Sequence, residues 1–148
     1  MKRKFWFVLI MLSVLISACG GEAATQSSPV SSEPIPGQKV TASGGEYTNI
    51  TVDELQAMLE NKDFVFVNVH IPFEGDIANT DLSIPYNEID QQLDQLPAQD
   101  ARIVLYCRSD RMSSIASETL VGLGYTNVAN LEGGMVAWEQ AGLPIEGR

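Results

Sequence analysis

From residue 46 onward the apolar positions change their period several times, and each change marks an element. "EYTNI" (46–50) predicts a short strand, and "TVDELQAMLEN" (51–61) predicts a helix opened by a capping box, Thr51 with Glu54 three residues on. "FVFVNV" (64–69) is a continuous apolar run of β-branched and aromatic residues, the pattern of a strand buried on both faces. "DLSIP" (81–85) reads as a third short strand, and "NEIDQQLDQL" (87–96) as a helix, with Ile89, Leu93 and Leu96 at helical spacing. "RIVLYC" (102–107) is a second fully buried strand, followed by a helix over "MSSIASETLVGLG" (112–124). "NVANLE" (127–132) is a final strand, and "GGMVAWEQAG" (133–142) a last short helix closed by Gly142. Strands and helices in alternation, with apolar strands, predict an α/β domain: a parallel five-stranded sheet with helices on both faces.

Ahead of residue 46 the pattern is different. Residues 20–45 are rich in Ser, Pro, Gly and Ala with almost no large apolar side chain, so they cannot bury enough surface to offset their ordering entropy. They read as a flexible tether. "MKRK" followed by "FWFVLIMLSVLISA" is a basic start and an apolar run of 14 residues ending in small residues before Cys19, the layout of a secretory signal. A spanning helix needs about 20 apolar residues, and this run is shorter. "LISACG" resembles a bacterial lipobox, which implies cleavage before Cys19 and lipid on that cysteine. The expected organisation is a signal peptide over 1–18, a lipidated cysteine and tether over 19–45, and one domain over 46–148. The expected location is outside the cytoplasm, lipid-anchored to the outer face of the cytoplasmic membrane or to the outer membrane.

Charge and cysteine count sharpen this. Lys2, Arg3 and Lys4 leave with the signal, so six basic residues remain against nineteen acidic ones, a net of −13. Such a chain is a poor partner for nucleic acid or any polyanionic surface. Two of the six remaining cations, Arg108 and Arg111, nevertheless sit within four residues of each other. There are two cysteines; with lipid on Cys19, Cys107 has no partner in its own chain. An unpaired thiol in an oxidising compartment is a liability unless it is buried or used.

Cys107 falls at the carboxyl end of a predicted central strand, the edge of an open α/β sheet where ligands bind. The chain then runs through "RSDRM" into a helix N-terminus. Loop amides and the helix dipole favour negative charge there, and Arg108 and Arg111 add two full charges. All three favour thiolate over thiol, and the thiolate is the nucleophile. A cradle of amides with two arginines also suits an oxyanion. The plain alternative is a small buried hydrophobe, the commoner fate of free cysteine.

At this point the sequence resembles a known family. "YCRSDRMS" entering a helix, then Gly124-Tyr125, Val128, Leu131, Gly133-Gly134, Trp138 and Ala141-Gly142-Leu143-Pro144, is similar to the second half of a rhodanese (sulfurtransferase) domain. With a weaker first half the resemblance covers about residues 47–146. It implies that Cys107 attacks the outer sulfur of thiosulfate or a persulfide and becomes a persulfide itself. The sulfur then passes to a thiol or carrier-protein acceptor. It implies that the loop Arg108, Ser109, Asp110, Arg111 and Met112 holds the donor, with no metal or organic cofactor. Gly133, Gly134 and Trp138 are read as scaffold, the glycines letting the last helix start close to the sheet.

The departures fall elsewhere in the pattern. The family often has Gly at the third loop position after the cysteine, where this chain has Asp110, and Arg or a small hydroxyl residue where it has Met112. The Asp-Val-Arg strand end reads Asn68-Val69-His70, and Gly-His-Ile-Pro-Gly-Ala reads Gly75-Asp76-Ile77-Ala78-Asn79-Thr80. His70, the lone histidine, is read as a hydrogen-bonded structural residue ahead of a base. Two other functions are weighed. One is a rhodanese-like binding or sensing module with little turnover, against which the retained Cys107 speaks. The other is a Cys-dependent phosphatase or arsenate reductase, which wants a longer loop with Arg six residues after the cysteine; position 113 is Ser.

Overall fold

The computed structural model describes residues 34–148; the signal segment and Cys19 lie outside them. In chain order the elements are β1 (Gln38–Ala42), β2 (Gly45–Ile50), α1 (Val52–Glu60), β3 (Val65–Asn68), β4 (Asp76–Ile77) and β5 (Leu82–Ser83). After them come β6 (Ile103–Tyr106), α2 (Arg111–Gly122), β7 (Val128–Leu131), α3 (Gly134–Gln140) and β8 (Ile145–Glu146). The main sheet runs β1-β2-β7-β6-β3-β5, with every pair parallel except the antiparallel β1–β2 edge. β4 and β8 pair separately as a short antiparallel clip.

The alternation of strand side chains divides the core into two layers. Val67, Val69, Ile103, Leu105, Cys107 and Val128 face α2 and meet Ala116, Leu120 and Val121. Phe66, Val104, Tyr106, Ala129 and Leu131 face the other way, onto Leu55 of α1 and Met135 and Trp138 of α3. Because β3, β6 and β7 are covered on both faces, their sequences are mostly apolar, interrupted by Asn68 and Asn130, which are buried in hydrogen bonds. The Thr51–Glu54 capping box forms, with the Glu54 carboxylate accepting from the Thr51 N–H at 2.7 Å and the Thr51 hydroxyl accepting from the Glu54 N–H at 3.3 Å.

Two expectations are corrected. The sheet has five parallel strands plus a sixth, antiparallel strand, β1, drawn from residues assigned to the tether. A two-residue turn at Ser43-Gly44 folds β1 back on β2, and a Cβ on Gly44 would collide with the backbone of Gly122 at the end of α2. Ile35 is buried as well, so the ordered domain begins before residue 46. The second correction concerns residues 87–96: two 3-10 turns, Ile89–Gln91 and Leu93–Gln95, replace the helix. Between Pro85 and Pro97 the segment needs only to dock Ile89, Leu93 and Leu96 on the α2 layer, and a pair of tight turns meets that spacing as well as a helix does.

Candidate active site

Cys107 ends the central strand β6 and opens the loop into α2. Its side chain is buried, 2% exposed, which by itself fits a hydrophobe. Its partners do not. The Asp110 N–H donates to Sγ at 3.2 Å, and the Ser113 hydroxyl, also donating toward the Asp110 carbonyl, lies 3.4 Å from Sγ. The amide, and the hydroxyl when its one proton turns from the Asp110 carbonyl to the sulfur, are donors of the kind that bond an anionic acceptor more strongly than a neutral one. The first N–H groups of a helix have no intrahelical acceptor, so the amides of Arg111 and Met112 add to the same positive end.

The loop takes this shape because its back is fastened. The N–H groups of Met135 and Val136 donate to the carbonyls of Cys107 and Arg108, each at 2.9 Å. That contact places α3 so close that a Cβ on Gly134 would overlap the Cys107 carbonyl oxygen; Gly134 also has φ +55°. With the loop carbonyls turned onto α3, the amide side of the loop is left for a ligand. The expectation that Gly133 and Gly134 bring the last helix close is met in this specific form: the helix start is pressed on the cysteine loop itself.

Each loop residue has a distinct setting. Asp110 has φ +105° and ψ −45°, a conformation glycine adopts without cost. Its carboxylate accepts from Asn130 Nδ2 at 2.7 Å and from the Ser114 hydroxyl at 3.2 Å, so the sulfur receives its amide while the charge is absorbed by neighbours. Asn130 also bonds Asn49 at 3.0 Å, which ties the loop to β7 and β2. Met112 is half-buried against the α2-side core. Ser109 is exposed.

The two arginines differ. Arg108 is ion-paired with Glu74 at 2.5 Å. Arg111 is exposed and takes part in none of the five ion pairs among the described residues. Glu74 lies on the segment after β3, next to His70, whose Nε2 is 3.7 Å from the second Glu74 oxygen. Partial desolvation would raise the Glu74 carboxyl, but the hydrogen bond and charge of Arg108, with smaller help from His70, hold it below the usual carboxylate range. Asn68 is buried and supports the same segment: its amide donates to the Gly75 carbonyl at 3.0 Å and to Asp76 at 2.8 Å, and its oxygen accepts from the His70 N–H at 2.9 Å. Burial of Tyr106 beneath Thr80, Ile77 and Asp76 pushes its phenol far up.

Sequence reasoning placed Cys107 and its loop but missed Ser113, Asn130 and Glu74. In the sequence Ser113 reads only as the absence of an arginine, although it is the third residue of α2 and its hydroxyl faces back to Cys107. Asn130 lies 20 residues from Asp110 and Glu74 lies 34 from Arg108, and no local pattern announces either pairing. Among the described residues, no group of three or more His, Cys, Asp or Glu side chains is placed to hold a metal ion.

Comparison with known proteins agrees with this geometry. The chain is 36% identical over 93 residues to a sulfurtransferase of Allochromatium vinosum, covering 61% of this chain and 85% of that one. It is 30% identical over 103 residues to thiosulfate sulfurtransferase GlpE of Vibrio cholerae, covering 68% and 95%. Among solved structures, a rhodanese-like domain protein of Staphylococcus aureus superposes with a TM-score of 0.56 at 33% identity, covering 67% of this chain and 98% of that one. The profile of the rhodanese-like domain matches residues 51–141, and the chain belongs to that family.

Proposed function

We propose that this protein is a tethered sulfurtransferase that moves sulfane sulfur from thiosulfate or a persulfide to a thiol or carrier-protein acceptor. The observation that carries the reading is the convergence of the Asp110 amide and the Ser113 hydroxyl on Cys107 Sγ. In the first step the thiolate attacks the outer sulfur of thiosulfate. A bond forms between Sγ and that sulfur, the bond to the sulfonate sulfur breaks, and its electron pair leaves as sulfite. In the second step the acceptor thiolate attacks the outer sulfur of the persulfide, and the electron pair returns to Sγ. No external oxidant is needed. Loop amides and Arg111, which is in no ion pair among the described residues, hold the anionic donor, while Arg108, committed to Glu74, contributes less. Sulfurtransferases among the relatives, one of them named for thiosulfate, support the donor class.

The tether belongs to the same proposal. The apolar run ending in small residues before Cys19 supports export and lipidation at that residue, and the domain then works at the outer face of the cytoplasmic membrane or at the outer membrane. Mass spectrometry after mixing with thiosulfate tests the chemistry: wild type gains the mass of one sulfur atom, and Cys107→Ser does not. A wild-type protein that gains none, and turns over no donor, acts as a binding module instead.

A further inference from the structure

His70 is 7% exposed in its side chain, and neither ring nitrogen has a hydrogen-bond partner among the described residues. A buried polar group left in that state is costly. Its backbone N–H donates to the Asn68 oxygen, and its buried ring lies with Nε2 toward Glu74. Glu74 divides its carboxylate: one oxygen takes Arg108, and the other faces His70 Nε2 at 3.7 Å. The other charged or titratable groups bound to this segment are Asp76, through Asn68, Tyr106, whose hydroxyl accepts from the Ile77 N–H and donates to Asp76, and Arg148, whose Nε donates to the Glu74 carbonyl. Cys107 immediately precedes Arg108 in the loop that Glu74 reaches.

We propose that His70 is a specificity-determining residue of this site: protonation of its imidazole engages Glu74 and strengthens the grip on an anionic sulfur donor. With His70 neutral, the Glu74 charge is spent on Arg108, and the pair presents no net charge. With His70 protonated, one carboxylate serves two cations, Arg108 is less tightly claimed, and one positive charge is added at the mouth of the cysteine loop. Histidine is the side chain that ordinarily makes this change between about pH 5 and 8. Arg111 then no longer acts alone on the donor.

The inference rests on the reading that the loop receives an anionic donor, and the test separates the two. The KM for thiosulfate and for an uncharged organic trisulfide is measured from about pH 5.5 to 8 in wild type, His70→Gln and His70→Arg. Wild type should show a thiosulfate KM that falls several-fold toward low pH with kcat little changed. His70→Gln should lose that fall, and His70→Arg should keep the low KM throughout. The uncharged donor should show no His70-dependent change. Equal pH dependence of the thiosulfate KM in wild type and His70→Gln would overturn the inference and leave the transfer reading intact. Thiosulfate binding to Cys107→Ser protein, followed by calorimetry with and without His70→Gln, supplies a readout free of turnover. Binding that tightens at low pH only with His70 present supports the inference even where no sulfur is transferred. Binding at neither pH, together with no turnover, overturns both.

Discussion

Two regions meet at the mouth of the site, and they are built on different principles. The cysteine loop, from the end of β6 into α2, is held mainly by backbone: α3 amides on the loop carbonyls, and a loop amide on the sulfur. The segment from Asn68 to Thr80 has backbone pairing in β4 and at Val69, but between them its path is fixed by side chains: the Asn68 amide, the Tyr106 hydroxyl, and the Glu74 carboxylate between Arg108 and His70. Backbone contacts tolerate changes of side chain, which is why Asp110 and Met112 can stand in the loop without dismantling it. Side-chain contacts depend on the residue present, and there a departure from the family pattern changes charge and titration.

The comparison breaks most visibly at Gly134. Gly134→Ala must move either α3 or the loop carbonyl of Cys107, a steric overload of the kind that costs roughly 1–3 kcal/mol. Sulfur transfer should fall further than stability does, as checked by urea unfolding beside turnover with thiosulfate. An unchanged rate would mean that the loop does not need its back support. On the other side, Asn68→Asp restores the family's residue but sets a carboxylate against Asp76 and the Gly75 carbonyl, both acceptors. The new carboxyl should titrate above its unfolded value, so stability should be retained at low pH and lost as pH rises through that raised value, by roughly 1–3 kcal/mol at neutral pH. Thermal unfolding across pH measures it.

Arg111→Ala should lower kcat/KM for thiosulfate about ten- to a hundredfold, the range of a lost charge-assisted contact, and the loss should shrink as salt rises. Ser113→Ala removes one donor to the sulfur and should slow transfer from charged and uncharged donors alike, by about tenfold. Arg108→Ala should be the mildest at neutral pH, within about threefold, because an exposed pair is worth little. Since its partner holds the Glu74 carboxyl down, the pair supports the fold at neutral pH, and that support is lost as pH falls through the lowered value; Arg108→Ala should flatten this dependence. A thiosulfate defect larger in Arg108→Ala than in Arg111→Ala would reverse the assignment of the two arginines. Separately, Cys19→Ala should leave an uncleaved or unlipidated chain, seen by mass spectrometry of the membrane fraction.

Legibility followed the range of the interactions. The buried strands and the Cys107 turn were legible because β3 and β6 carry continuous apolar runs and the helix signal starts just after the cysteine. β1 was not, because among Gly and Ser its only inward apolar residues are Val40 and Ala42, and what orders it is the edge of β2. The short turns at Ile89 and Leu93 share the spacing of a helix, and only docking distinguishes them.

By itself the sequence determined the period of the buried strands and of the helices that cover them, the strand that ends in Cys107, the position of the helix-entry loop, and the family to which these belong. These are local properties, set by backbone propensity and by which faces must leave water. The tertiary structure decided which cation is free. Arg108 and Arg111 look equivalent three residues apart, and they part only because Glu74 is brought back beside the loop from 34 residues away. Tertiary structure likewise absorbed the Asp110 charge in Asn130 and Ser114, and left His70 buried beside a carboxylate with no other partner. Charge at a site is a sum over groups that meet only in space, and no reading along the chain can perform it.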